Sequence, residues 1–412
     1  MENRIAYKKP IVLDLCITGL GVIRNFGERG IRSIGIDSDI RQVGRFSRYC
    51  DFYKSPVLEE SDEEFLSFLL SIGKDLESHG ILFPVSDKHV RFVAEHQEML
   101  KKYFRFKVAP IELINKILNK QEMYRMAEDC GIPFPITYFP KNEEDLRNIA
   151  QDIGFPCAIK PIYSHLLTSK INRKLIPVAN KAELMSEYQK ILSIDSKVMI
   201  QEIIPGADNQ IFIYIAYCSD KGIPQGIFTG RKLRQSPIHY GTACLAESLW
   251  LPEVAELGTH FLRAIAYHGI GGIEFKKDPR DGKFKLMEIN ARLVQWHGIT
   301  KVAGTDLCFA QYLDLTGHPA PPSQFVDNIK WIYLKSDLIS SFKYMREGSL
   351  SITGWISSLK NIQYVADMVF TDPLPFIVSL LELSRIALRK IILRISVAGI
   401  KGSLRRFIGS KY

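Results

Sequence analysis

The chain has 412 residues, 46% of them apolar and 24% charged, which is enough for two or three domains with sizeable cores and excludes a disordered or fibrous protein. Its seven cysteines form no CxxC pair and the N-terminus has no apolar run of signal type, which speaks against a zinc or disulfide framework and for the cytoplasm. The net charge of +9 is concentrated in the tail: no acid follows Glu382, whereas Arg385, Arg389, Lys390, Arg394, Lys401, Arg405, Arg406 and Lys411 all do.

Residues 11–17 are a short apolar run of buried-strand type. Thr18-Gly-Leu-Gly21, an amphipathic stretch to Arg29 and a second strand at 33–37 come next. Strand, glycine turn, helix and strand open an α/β domain, but a dinucleotide fingerprint needs a third glycine near Arg24. Gly19 and Gly21 are expected to let backbone amides approach an anion. Helical patterning at 62–76 and 90–102 flanks a strand at 80–85. Ser86-Asp87 stands at its end, where open α/β sheets bind ligands. Asp87 is a candidate for the amino group of a substrate, or for the cap of the next helix.

Residues 119–129 read as a helix stopped by Gly131 and Pro133. Lys120 stands at its start, where the helix dipole disfavours a cation, and a function would explain it. Lys160 follows Ala158-Ile159 near the end of a buried strand, where an ammonium needs an anion. The loop after it, 163–170, has no glycine to bring amides close to phosphate, although Ser164, Thr168 and Ser169 can substitute. Residues 197–206 read as a strand ending in a hinge, with alternation resuming after Asp208. A hinge can offer adenine a backbone donor and acceptor side by side, or be an ordinary bulge. Residues 226–237 read as a strand carrying Arg231, Lys232 and Arg234, a pattern that also protects exposed strand edges.

The turn formers Asp278-Pro-Arg-Asp-Gly282 fold strand 272–277 back onto strand 283–290, and a turn centred on Asp281 sets Glu274 opposite Glu288. Facing carboxylates repel unless a cation joins them. Glu288, Asn290 and Arg292 alternate onto one face. Two carboxylates and an amide suit Mg2+ completed by water and phosphates. A solvated hairpin edge is the bland alternative.

Taken in order, these segments resemble the landmarks of the ATP-grasp superfamily of carboxylate–amine ligases over roughly residues 10–318. The resemblance implies an α/β protein with the ATP-grasp fold. It would have an open α/β pre-ATP-grasp domain (1–112), an N-terminal lobe (113–198), a C-terminal catalytic lobe (199–318) and a helical, basic extension (319–412). It implies ATP and Mg2+ as cofactors, with Lys120 and Lys160 on the phosphates, Gln201, Glu202 and Ile204 at adenine, and Asp208 on the ribose. Glu274, Glu288 and Asn290 would hold metal, Arg231 or Lys232 would meet phosphate, and Arg234 would meet the substrate carboxylate. Arg292 would stabilise the oxyanion or leaving phosphate as an amine attacks an acyl phosphate. No covalent nucleophile is needed, so Cys244 has no assigned role and His297, beside Trp296, reads as structural.

Glycine and prolines at 316–322 mark a boundary, followed by an apolar Trp331 segment and a helix-like stretch at 354–370. Residues 375–397 are apolar with cations interleaved from Arg385, too short a run to span a bilayer. They read as an amphipathic helix on anionic lipid or polymer, with residues 383–412 contacting the inner membrane face, or as a helix packed on the enzyme. The extension resembles those of ATP-grasp proteins associated with bacterial surface polysaccharide, which implies an amine or amino acid joined to a carboxylate on a glycan or its precursor. A peptidoglycan-type or dipeptide-forming amino acid ligase and a nucleotide-binding, membrane-associated scaffold are the alternatives. A homodimer is compatible with either, and no motif points to nucleic acid.

Overall fold

The structure, a computed structural model, describes residues 8–163, 174–192, 197–320 and 322–385. Three sheets organise them. The first is parallel, built from β1 (Pro10–Leu13), β2 (Ser33–Asp37), β3 (Cys50–Lys54), β4 (Gly80–Pro84) and β5 (Phe104–Arg105) in the order β3-β2-β1-β4-β5. β1, β2 and β4 are buried along their whole length, which is why β1 and β4 read as unbroken apolar runs, although β2, Ser-Ile-Gly-Ile-Asp, alternates. The helix Ile17–Gly27 begins four residues after β1 and takes in both Gly19 and Gly21, so the expected glycine turn is absent. A Cβ on Gly19 would lie 2.1 Å from the Asp14 carbonyl oxygen, and one on Gly21 would lie 2.9 Å from the His297 ring. These glycines serve close packing.

The second sheet is antiparallel and small: β6 (Thr137–Tyr138), β7 (Cys157–Pro161), β8 (Ile176–Val178) and β9 (Val198–Glu202), in the order β6-β9-β7-β8. Helices Glu143–Asp152 and Lys181–Leu192 cover it, and Leu146, Ile159, Leu184, Tyr188 and Ile200 form a core of its own.

The third sheet has seven strands: β10 (Ile211–Cys218), β11 (Pro224–Ser236), β12 (Thr242–Ser248), β13 (Gly269–Lys277), β14 (Phe284–Asn290), β15 (Lys330–Ile332) and β16 (Ile362–Val365). Their order is β14-β13-β10-β11-β12-β15-β16, antiparallel except for the last pair. One face shares a core with the first sheet, where Val12, Leu20 and Phe83 cluster with Ile213, Phe228 and Trp331. The other face buries residues of the helices Ile111–Leu118, Lys120–Asp129 and Pro252–Ala264.

Residues beyond 318 are not a separate appendage, as the sequence reading had them, because β15 pairs with β12 and β16 with β15 in the long sheet. The helix read at 354–370 is confined to Ile352–Ser358, capped by the Ser351 hydroxyl. A turn at Asn361 (φ 59°) then leads into β16, whose β-branched and aromatic residues favour a strand. The segment after β16 is tied to the first sheet's helix. Arg24 and Asp372 are each 1% exposed in their side chains and 2.9 Å apart. Arg24 also donates to the carbonyls of Ala366 and Asp372, both at 2.8 Å. No helix among the described residues is long and apolar enough to cross a membrane.

Asp372→Ala strands the Arg24 guanidinium without a counter-charge. Its unfolding free energy should fall by about 3–5 kcal/mol in urea titration, as for other broken buried pairs. A change under ~1 kcal/mol would mean that the carbonyl acceptors alone hold Arg24.

Candidate active site

The hairpin β13–β14 sets the geometry. Its loop closes through the Asp278 N–H donating to the Lys283 carbonyl at 2.9 Å, with Gly282 at φ 74°. From the loop the pairs run Lys277 with Phe284, Lys276 with Lys285 and Phe275 with Leu286. Continued regularly, that ladder would face Glu274 with Met287. Instead the register shifts between Glu274 and Phe275, β14 takes in Met287 as an extra residue, and Glu274 faces Glu288. The pairing read from the sequence holds, but a bulge produces it rather than a turn symmetric about Asp281.

Two lysines from other segments offset the repulsion between these carboxylates. Lys232 Nζ donates to Glu274 at 2.7 Å, and Lys120 Nζ donates to Glu288 at 3.0 Å. Burial pushes the Glu288 carboxyl up, but Lys120 and Lys174 outweigh it and hold the group at about 2, ionised at neutral pH. Lys120 can reach β14 because Asn119, not Lys120, caps the helix Lys120–Asp129, its side chain accepting from the Gln121 N–H at 3.0 Å.

Lys160, on β7, is held by an amide: its Nζ donates to Gln201 Oε1 at 2.5 Å. Gln201 in turn donates to the Tyr124 and Thr137 hydroxyls, both at 2.8 Å. Burial, then repulsion from Lys120, lowers the Lys160 ammonium to about 8. The hinge expected at 201–204 starts later, since the Glu202 N–H still bonds to the Ile136 carbonyl at 3.0 Å and β9 ends there. The Glu202 carboxylate pairs with Arg280 (2.6 Å) and Lys285 (3.2 Å), and the Ile204 carbonyl accepts from Lys276 at 2.8 Å. Asp208 sits on the short turn Asp208–Gln210, accepting from the His239 N–H at 3.0 Å and from the Tyr344 hydroxyl.

On β11 a second bulge corrects the reading of the basic run. Lys232 pairs with Ala246 and Arg234 with Leu245, so Leu233 is the extra residue and Arg234 takes the face of Arg231. Arg231 pairs with Glu247 directly across the strand (2.9 Å), and Arg234 grips Asp337 with two bonds of 2.7 and 3.0 Å. Neither guanidinium is presented to phosphate or to a substrate carboxylate, as the sequence reading had them; Lys232 and Gln235 face the site instead.

Asp87 opens the helix Asp87–Glu95, and its carboxylate accepts from Arg292 Nε at 2.7 Å. Beside it, the Cys16 thiol is pushed up to about 12 by burial and is no nucleophile. His297 is buried, its Nδ1 lies 3.0 Å from the Val294 carbonyl, and burial lowers it to about 4, consistent with a structural role.

Asp87, Lys120, Lys160, Lys232, Glu274, Glu288, Asn290 and Arg292 line one cleft of about 530 Å³ between the three sheets. Gln201, Glu202, Ile204, Asp208, Arg231 and Arg234 lie outside its lining. Lys174 and Gln235 also line it and were missed: Lys174 belongs to no motif, and Gln235 is turned inward by a bulge that alternation cannot foretell. Residues 164–170 of the loop read as approaching phosphate, 163–170, lie outside the described residues. The donor set fits a Mg2+–polyphosphate group. Two carboxylates and an amide oxygen on paired strands offer hard ligands, and Lys120, Lys160, Lys174, Lys232 and Arg292 offer charge to phosphate.

A family model described as carbamoyl-phosphate synthase L chain, ATP binding domain, matches residues 251–315. The chain is 26% identical over 302 residues to the D-aspartate ligase of Enterococcus faecium (strain Aus0004), covering 69% of this chain and 70% of that one. Among solved structures, N5-carboxyaminoimidazole synthetase from Staphylococcus aureus, complexed with ADP, matches with a TM-score of 0.62 at 12% identity, covering 84% of this chain and 88% of that one. The biotin carboxylase domain dimer of Hydrogenobacter thermophilus 2-oxoglutarate carboxylase, in complex with MgADP, matches with a TM-score of 0.60 at 19% identity, covering 78% and 73%. At these identities the structural matches establish the fold.

The low Lys160 value has a sign that can be tested. Below pH 8 its ammonium is charged and attracts an anion; as pH rises through about 8 the charge is lost. The Kd for MgADP should rise roughly tenfold per pH unit above that point and stay flat to pH 9.5 in Lys160→Arg, whose guanidinium does not titrate there. A flat wild-type profile would remove Lys160 from the anion's surroundings.

Proposed function

We propose that the chain is an ATP-grasp carboxylate–amine ligase, an ATP-dependent enzyme that forms C–N bonds, and that its own residues divide the work as follows. The observation that carries the proposal is the opposed pair Glu274 and Glu288, each held by a lysine, in a cleft that also receives Lys160 and Arg292. Glu274, Glu288 and Asn290 hold Mg2+, which polarises the phosphoryl oxygens when bound. Lys120 and Lys232 exchange their carboxylate partners for phosphate oxygens, and Lys160 adds a third positive charge. The backbone beyond Gln201 and Glu202, as far as Ile204, faces adenine, and Asp208 accepts from the ribose.

A substrate carboxylate oxygen bonds to the γ-phosphorus as the bond to ADP breaks, giving an acyl phosphate. The amine then attacks the acyl carbon, phosphate leaves with the C–O electron pair, and the nitrogen gives up a proton. Arg292 stabilises the oxyanion, oriented by Asp87, which also holds the incoming amine. Arg231 and Arg234 have no part in this account, because they lie outside the cleft lining, where Glu247 and Asp337 hold them.

For the carboxylate we propose one carried on an anionic cell-surface glycan or its precursor, on the strength of the basic tail in the sequence. The likeness to a D-aspartate ligase favours a second reading, in which an amino acid is a substrate of a dipeptide or peptidoglycan-type reaction. We also propose peripheral contact with anionic membrane at its inner face. The supporting observation is the exposed apolar side chains before the tail, including Phe342 (64%), Ile352 (65%), Phe370 (92%) and Leu381 (57%). A homodimer, as in the Hydrogenobacter neighbour, is part of the same proposal.

ADP release from MgATP, assayed over pooled amino acids and then uronic-acid glycans with and without an amine, should depend on one carboxylate and one amine. Glu288→Gln should abolish it, a loss of at least about 10³-fold, with the fold intact by circular dichroism. Turnover at the wild-type rate would remove Glu288 from the metal site. Deleting residues 383–412 should release the protein from phosphatidylserine vesicles in a flotation assay, and unchanged binding would remove the tail from the membrane contact.

A further inference from the structure

The helix Leu334–Arg346 lies in the region that the sequence assigned to an extension, yet it and the residue after it hold the β11–β12 connection that walls the cleft. His239, Tyr240 and Gly241 of that connection line the cleft, and Gly241 offers its carbonyl to Lys232 Nζ at 3.4 Å. Tyr344 is 6% exposed, and its hydroxyl is a junction. It accepts from the Gln235 N–H at 3.3 Å and donates to Asp208 Oδ2. Burial and the Asp208 carboxylate both push the Tyr344 hydroxyl upward, so it stays protonated and donates. One residue past the end of the helix, Glu347 meets His239 Nε2 at 2.9 Å, while His239 Nδ1 lies 3.5 Å from Asp208 Oδ1. The ring of His239 also packs edge-on against Tyr344, with centroids 5.8 Å apart.

We propose that Tyr344 is a positioning residue of the nucleotide site, fixing Asp208 for the ribose hydroxyls, and that Glu347 does the same for the His239 wall. This rests on the reading of Asp208 as the ribose acceptor. Asp208 stands on a three-residue turn just after an unpaired stretch, so nothing in its own strand fixes its carboxylate. Two donors converge on Oδ2, the His239 N–H and the Tyr344 hydroxyl, which sets the plane of the group and turns Oδ1 toward other partners. The extension thereby becomes part of nucleotide recognition, although none of its own residues lines the cleft.

The test compares the Kd of MgADP with that of 2′,3′-dideoxy-MgADP by calorimetry on the full chain. Wild type should prefer ADP, Asp208→Asn should abolish the preference, and Tyr344→Phe should cut it by roughly tenfold, the weight of one hydrogen bond to a charged acceptor. The double variant should be no worse than Asp208→Asn alone, since both changes act through one carboxylate. Ser341→Ala, which removes a 3.3 Å contact to Asp337 on the same helix, should leave the preference unchanged, separating positioning from a general loosening of the helix. If Tyr344→Phe keeps the full preference while Asp208→Asn loses it, the positioning role is overturned and the reading of Asp208 stands. If Asp208→Asn itself keeps the preference, both fall.

Discussion

Two carboxylates facing across neighbouring strands cannot be left to themselves, and the molecule is arranged around that constraint. Glu274 and Glu288 occupy opposed positions on β13 and β14, and cations must be delivered to them from outside the hairpin. Lys232 comes from β11, across the intervening β10, and Lys120 from a helix packed on the same sheet. The resulting ion pairs offset the repulsion between the two carboxylates. Ligand binding in such a site is an exchange of partners among charges already desolvated, rather than a fresh burial of charge.

Backbone irregularity does as much as residue choice. The extra residue Met287 brings Glu288, rather than its neighbour, opposite Glu274, and the extra residue Leu233 sends Arg234 to the far face while turning Gln235 inward. Each is a one-residue slip in a structure whose side-chain period is two, so each inverts the facing of the strand residues beyond it. Arg231 and Arg234 are then structural, holding Glu247 and Asp337, and Asp337 anchors the helix that reaches Tyr344.

What the sequence made legible were residues whose chemistry conflicts with their setting. A lysine at the end of an apolar strand and another at a helix start are costly unless an anion answers them, and both Lys160 and Lys120 line the cleft. Strands β1 and β4 of the parallel sheet were legible because burial on both faces leaves an unbroken apolar signature. The bulges were not legible, since alternation carries no sign of where it will lapse. Gly19 and Gly21 were read as a turn because a glycine needed for a tight turn and one needed for close packing are the same letter. The role of residues beyond 318 was hidden because three- and four-residue strands, β15 and β16, are too short to show a period.

The division of cores has a mechanical consequence. The first and third sheets share one interior, whereas the four-stranded sheet encloses most of its own and meets the rest through Met199, the Gln201–Tyr124 hydrogen bond and the ion pairs of Glu202 with Arg280 and Lys285. Lys160 belongs to the small body, and Glu274, Glu288 and Lys232 belong to the large one. The grip on an anion is therefore shared between two jaws, and any displacement of the smaller jaw changes the reach of one ammonium while leaving the carboxylate pair undisturbed.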